Sequence, residues 1–100
     1  MSLVEKIEAW MEKAGEWESI PVVEGRNVAV YIVKLPERER KYAKKNAKVA
    51  LHIKKRDAFK GIFVTDAETL EELIQVLQNG KVKEVAKAVD EINSEVRVFL

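Results

Sequence analysis

The spacing of apolar residues predicts an amphipathic helix at the start of the chain. Apolar residues recur there at helical spacing: Leu3, Ile7, Trp10, Met11 and Ala14. Ser2 stands where an N-cap is expected, and Gly15 stands where the helix is expected to end. We expect Trp10, on the apolar stripe, to lie in the core. Trp17 follows the glycine and is expected to be partly exposed, either as an oligomer contact or as a base-stacking residue.

The pattern then changes to alternation and β-branched runs, which predict strands. We place four strands at 20–23, 28–35, 49–54 and 62–64. Pro21 would confine the first strand to a sheet edge because proline cannot donate a ladder hydrogen bond. The segment 37–47 is charged and has no apolar face, so a solvated loop and a short polar helix both remain open.

Two helices are predicted after the strands. Thr65 and Glu68 have capping-box spacing at the start of the first helix, and Asn79-Gly80 is expected to close it. The first helix has an apolar stripe at Leu70, Leu73, Ile74 and Leu77, and the second has one at Val82, Val85, Ala86, Val89 and Ile92. The second stripe has coiled-coil spacing, which favours a homo-oligomer through these C-terminal helices. Val96 and Val98 favour a last short strand or an extended tail.

This order of elements predicts one α+β domain over residues 1–100, with an antiparallel sheet of about four strands packed with an N-terminal helix and two C-terminal helices. The chain has no cysteine, so it has neither a disulfide framework nor a thiolate metal site. It shows no apolar stretch of membrane-spanning length and starts without a secretion signal, so we expect a cytoplasmic protein that does not bind membranes. Its Lys- and Glu-rich composition leans towards a thermophilic source.

Charge is concentrated in the middle of the chain. Eleven of the 18 basic residues lie between Lys34 and Lys60 with only three acids, a balance of 11 − 3 = +8. The remaining residues hold 7 basic and 14 acidic groups, a balance of −7. Such a segment is either a solvated charged surface or a site for a polyanion, and nucleic acid is the first candidate.

The predicted strands offer a way to bind bases as well as phosphates. The alternation places Val49, Leu51 and Ile53, together with Ile62 and Val64, towards the core, so that His52 and Phe63 point away from it. If Ala29, Tyr31 and Val33 also face away from the core, that sheet face displays Tyr31, His52 and Phe63 among lysines. Aromatic rings that stack on bases, combined with lysines along the backbone, are how proteins bind single-stranded nucleic acid. The alternative is that the sheet is covered on both sides and these rings are core residues.

Catalytic and metal-binding patterns are not evident. The chain has one histidine, and its three serines do not lie in a recognisable nucleophile–base pattern. It contains no P-loop, no HExxH, no EF-hand loop and no GxGxxG. We therefore expect a protein that is not an enzyme and that needs no metal or cofactor. A small enzyme subunit completed by groups from elsewhere is a third possibility.

Two families resemble this chain. The junction Lys60-Gly61-Ile62-Phe63-Val64-Thr65, which leads into a helix, looks like that of transcription coactivators of the positive-cofactor-four type, which bind single-stranded DNA. Residues 3–92 resemble the ThermoDBP-related proteins of hyperthermophilic archaea in element order, charge distribution and composition. That resemblance implies an antiparallel sheet backed by helices, oligomers, and a cleft that binds single-stranded DNA. It directs attention first to Arg38, Arg40, Tyr42, Lys44, Lys45, His52, Lys54, Arg56 and Phe59.

The sequence thus predicts a non-catalytic single-stranded nucleic-acid-binding protein, with DNA favoured over RNA. The alternative is an oligomerisation or protein-interaction module whose basic segment docks an acidic partner. The residues predicted to bind nucleic acid are Arg38, Arg40, Lys41, Tyr42, Lys44, Lys45, Lys48, His52, Lys54, Lys55, Arg56, Phe59, Lys60 and Phe63.

Overall fold

A computed structural model describes residues 1–36 and 47–94. Along the described chain the elements are α1 (Leu3–Lys13), β1 (Ser19–Glu24), β2 (Val28–Lys34), β3 (Val49–Lys55), β4 (Gly61–Val64), α2 (Ala67–Leu77) and α3 (Gly80–Asn93). An N-terminal helix, a four-stranded antiparallel sheet and two C-terminal helices confirm the predicted α+β arrangement. Most of the segment predicted as loop or polar helix, and the strand predicted near Val96, lie outside the described residues.

The chain divides into two compact units, Met1–Asp66 and Ala67–Leu100. The first unit contains α1 and the sheet, and the second contains α2 and α3. Among the described residues, no helix is both long and apolar enough to span a bilayer.

Helix α1 begins with a complete capping box. The Ser2 hydroxyl accepts a hydrogen bond from the Glu5 amide at 3.1 Å, and the Glu5 carboxylate accepts one from the Ser2 amide at 3.3 Å. At the other end the Lys34 ammonium donates to the carbonyls of Met11 and Ala14 at 2.7 and 2.8 Å. This charge lies at the negative end of the helix dipole and ties α1 to β2.

The sheet is a meander in the order β1-β2-β3-β4, with every neighbouring pair antiparallel. Pro21 lies on the edge strand β1, as predicted, and the register shifts between Pro21 and Val23. The connections 25–27 and 56–60 are short, and antiparallel neighbours can be joined by such turns. One such turn is closed by the Gly25 amide, which donates to the Val28 carbonyl at 2.7 Å.

The buried cluster of the first unit lies on a different face of β3 from the one predicted. The alternation had placed Val49, Leu51 and Ile53 towards the core, but these are only half-buried, whereas Ala50 is buried. Ala50 pairs with Val33 and clusters with Leu35, because these residues point to the same side of the sheet. On β4, Val64 is buried as expected, but Ile62 is half-exposed.

The second unit also differs from the prediction. Helix α2 begins at Ala67, so Asp66 rather than Thr65 directly precedes it. The Asn79 side chain accepts from the Lys81 amide at 2.8 Å, so Asn79-Gly80 starts α3, and no described glycine has a positive φ. Neither helix has a buried residue, although Leu70 and Leu73 of the α2 stripe are half-buried.

Candidate nucleic-acid interface

Three ring-bearing residues occupy one row across the sheet. Tyr31 on β2 pairs with His52 on β3, and His52 pairs with Phe63 on β4. Directly paired residues point to the same face, and adjacent strands lie about 4.8 Å apart. Tyr31, His52 and Phe63 therefore share one face, as predicted, and we call these three residues the aromatic row. The same face carries the buried Ala29, Val33 and Ala50, so the expectation that it points away from the core is wrong.

Within the row, Phe63 lies against His52. The two ring centroids are 4.2 Å apart and the planes differ by 14°, so the rings are stacked. Phe63 is 45% exposed, whereas His52 is only 9% exposed. His52 was predicted to be a base-stacking residue on the open face. Instead it is a buried ring that supports Phe63, because Phe63 and the neighbouring backbone cover it.

Gly61 leaves the space that this arrangement needs. A Cβ atom there would lie 2.3 Å from the Ile53 carbonyl oxygen, 2.6 Å from the Lys54 Cβ and 3.0 Å from the His52 Nε2. Gly61 lies on the edge strand β4 and pairs with Lys54 of β3. It is two residues before Phe63, so the two residues are on the same face of the sheet. A larger residue would push against both β3 and the imidazole, so Gly61 belongs to the site although the sequence did not single it out.

The surroundings of the His52 imidazole favour its neutral form. Its Nε2 is buried without a hydrogen-bond partner in the described structure. Burial lowers the pKa of His52 below its ordinary value of 6.5, and the positive charge of Lys54 lowers this pKa further. A neutral ring adds no charge to the row and serves as a flat layer beneath Phe63.

Lys54 is fixed at the other end of the row. Its ammonium lies 5.1 Å from the centre of the Tyr31 ring and donates to the Ala58 carbonyl at 2.8 Å. This is a cation–π contact, so the Tyr31 ring holds a positive charge on the same face as Phe63. The row therefore offers a half-exposed ring at β4 and an anchored ammonium near β2.

The remaining described residues of the predicted site are spread over different places. Lys55 and Arg56 line a recess of about 380 Å³ at one end of the sheet, where Arg56 pairs with Glu24 at 3.0 Å. Lys48 lines a separate groove of about 570 Å³ beside α1. Phe59 is 96% exposed, and within the described chain its ring contacts no other ring. Lys60 is exposed and directly precedes β4.

Six predicted contacts lie outside the described residues: Arg38, Arg40, Lys41, Tyr42, Lys44 and Lys45. Their part in the site stays a prediction. Among residues 1–36 and 47–94, no three His, Asp or Glu side chains come together as metal ligands.

Trp17 joins the aromatic row from the start of β1. Its ring centroid lies 6.0 Å from that of Phe63, with the planes inclined at 57°, and Trp17 is 48% exposed. Trp17 lies in the turn before β1, and its ring contact with Phe63 places it on this face. The sequence left an oligomer contact and a stacking role open for Trp17, and this contact is what connects it to the aromatic row.

No protein-family model, curated protein or solved structure matches this chain. The resemblance to ThermoDBP-related proteins therefore stays a prediction, and the argument for function depends on the geometry of the aromatic row and its charges.

Proposed function

We propose that this chain is a non-catalytic, cytoplasmic single-stranded nucleic-acid-binding protein, with DNA favoured over RNA. The observation that carries the proposal is the register that aligns Tyr31, His52 and Phe63 on one face, with Lys54 anchored beside them. The resemblance to ThermoDBP-related proteins, with the thermophilic archaeal source that it implies, supports the same proposal.

Bases would bind to the exposed rings of this face. Phe63 presents about half of its surface, and its other side is supported by His52, so the ring is held in place before a ligand arrives. A base stacked on an aromatic ring contributes about 1–3 kcal/mol with little dependence on which base it is. Duplex DNA hides its base faces, so a site of this kind selects unpaired strands.

Phosphates would bind to the basic segment. Lys54 lies on the face of the aromatic row, Lys55 ends β3, Lys60 directly precedes β4, and the balance over residues 34–60 is +8. Each phosphate that a lysine or arginine neutralises releases condensed counterions. The logarithm of the affinity should fall against the logarithm of salt concentration by about 0.7 per phosphate contact for a single strand.

The test is fluorescence anisotropy of labelled single-stranded DNA, single-stranded RNA and duplex DNA over a series of salt concentrations. We expect single strands to bind more tightly than duplex, with a steep negative salt slope. Binding no tighter than that of a neutral control protein at low salt would end the proposal. A steep salt slope without preference for single strands would assign binding to charge alone and remove the aromatic row from it.

A second candidate, a homo-oligomerisation module, is favoured by the second unit. Every apolar position of the α3 stripe is exposed, up to 71% at Ile92, and α2 exposes Ile74, Val76 and Leu77. Contiguous apolar surface of this kind marks an interaction site in a soluble protein. The stripe and the aromatic row lie in different units, so the two functions involve different residues.

The charges of α3 favour a second copy of the chain as the partner. Lys81 and Lys83 lie in its first turn, and Asp90 and Glu91 lie in its last turn. This is the reverse of what the helix dipole prefers. In an antiparallel pair of α3 helices, the basic end of each copy would meet the acidic end of the other, and Val82 would face Ile92 while Val85 faces Val89.

Charge reversal tests this pairing in the full chain. Lys81→Glu with Lys83→Glu places acids at both ends of α3, and Asp90→Lys with Glu91→Lys places bases at both ends. We expect each variant alone to form fewer dimers than the wild type in sedimentation, and an equal mixture of the two to form dimers again. A wild type that stays monomeric at high micromolar concentration would exclude the second copy as partner.

A further inference from the structure

Trp17 has a backbone conformation that its side chain disfavours. Its φ is 66°, and it is the only described residue other than glycine with a positive φ. The Glu18 amide donates to the Gly15 carbonyl at 3.1 Å, which makes residues 15–18 a β-turn with Trp17 in its third position. A positive φ at that position defines a type II turn, where glycine or asparagine is normally found. A bulky residue there is an outlier that needs an explanation.

The surrounding backbone holds the turn in this shape. The Trp17 amide donates to the Lys34 carbonyl at 2.8 Å, and the Lys34 amide donates to the Glu18 carbonyl at 3.0 Å. These bonds continue the pairing of β1 with β2 up to the turn and fix the direction of the indole. Strained residues persist where neighbouring structure determines them, and they are concentrated at functional sites.

Packing in the described part of the chain covers only part of the tryptophan at this position. The residue remains 48% exposed, so about half of the indole gains nothing from burial. Its described ring partner is Phe63, itself 45% exposed, at 6.0 Å and an inclination of 57°. The two inclined, half-exposed rings form an open corner, in which a flat group could stack on one ring and place its edge against the other.

We infer that Trp17 is a base-stacking residue, and that its corner with Phe63 receives one unpaired nucleobase. This inference rests on the proposed function and adds to it a contact on the β1 side of the sheet.

Charge near the corner favours a base over a phosphate there. Glu16 lies in the same turn and Glu18 follows Trp17, and both are exposed. Acids repel phosphate but not a neutral base ring. Lys54 lies on the same face, on β3, so a strand with its base in the corner would keep its phosphates over that side.

The test uses Trp17 as its own reporter. Trp10→Phe leaves Trp17 as the single tryptophan, because the chain contains two. Titrating this full-length variant with a thymidine oligonucleotide should quench the Trp17 emission along the same curve as the anisotropy of the labelled oligonucleotide. Trp10→Phe itself should bind as the wild type does, since Trp10 lies on α1 away from the turn.

Replacing Trp17 separates a binding role from a structural one. Trp17→Gly suits the type II turn, and this gain offsets the loss of the half-buried indole and its contact with Phe63, so the melting temperature should change little, while affinity falls about tenfold through loss of one stacked base. Trp17→Phe, which keeps an aromatic ring, should retain most of the affinity. A loss of affinity without a matching loss of stability is not expected of a residue kept for packing.

Each other result has a defined meaning. If the oligonucleotide binds by anisotropy but Trp17 emission does not change and Trp17→Gly binds normally, the inference is wrong while the proposed function stands. If Trp17→Gly lowers both the melting temperature and the affinity, the residue is structural and the inference is again wrong. If the wild type binds no oligonucleotide at low salt, both fail together.

Discussion

Replacing Phe63 with leucine should weaken nucleic-acid binding much more than it weakens the fold. Phe63→Leu keeps an apolar side chain over His52 but removes the aromatic face. A base–ring stack contributes about 1–3 kcal/mol, and about 1.4 kcal/mol corresponds to a tenfold change in affinity. The dissociation constant for single-stranded DNA should therefore rise roughly 5- to 150-fold.

The cost to stability is smaller because of how Phe63 sits. The residue is already 45% exposed, so leucine retains most of its buried contact. What disappears is the ring stacking with His52 at 4.2 Å, a contact of about 0.5–1.5 kcal/mol. A loss of about 1 kcal/mol lowers the melting temperature of a domain of this size by about 4–8 °C.

Ile62→Leu provides the matched control. Ile62 lies on the same strand, is 50% exposed and points to the opposite face of the sheet. It should bind DNA as the wild type does in anisotropy titrations at one fixed salt concentration. Equal losses in the two variants, or wild-type affinity in Phe63→Leu, would show that the aromatic row is not the binding surface.

Two further predictions concern the support beneath Phe63. The pKa of His52 is lowered below 6.5 in the folded state, so the unfolded chain binds a proton more readily. The free energy of unfolding should therefore fall as pH drops from about 6.5 towards the folded pKa. Above about pH 6.5 this histidine should leave the free energy of unfolding unchanged. Urea unfolding across this pH range measures the effect, and His52→Gln should remove it. Lys54→Met removes a nearby positive charge, so it should raise the pKa of the single histidine, measured by NMR titration. Gly61→Ala should destabilise the fold by about 1–3 kcal/mol through its contacts with Ile53 and Lys54. Gly80→Ala, where no atom lies within 4 Å of the new Cβ, should be neutral or stabilising in the same thermal melts.

The elements were predictable because their patterns are local. Period-two alternation in β3 and helical spacing in α1 each depend on a few neighbouring residues, as does the capping box of Ser2 and Glu5. The aromatic row was predictable only as one of two alternatives. Both faces of β2 are apolar, so its own sequence does not indicate which face carries Tyr31, and only pairing with β3 decides it.

The features that were missed depend on contacts between distant residues. His52 looks like an exposed strand residue in its local sequence, and its burial comes from Phe63 eleven positions later. The space left by Gly61 has meaning only beside Ile53 and Lys54. The strained turn at Trp17 depends on hydrogen bonds to Lys34, and tryptophan is a residue that turn preferences would not place there.

The net charge of the chain bears on how the proposed site would work. The balance of +8 in residues 34–60 is almost cancelled by −7 elsewhere, so the whole molecule carries only +1. Interactions between exposed charges fade over a Debye length of about 8 Å at physiological salt. A polyanion several Debye lengths away would therefore meet a nearly neutral protein, and long-range steering would contribute little. Affinity would then depend on short-range contacts with rings and nearby lysines, so the losses expected for Phe63→Leu and Trp17→Gly should persist at physiological salt.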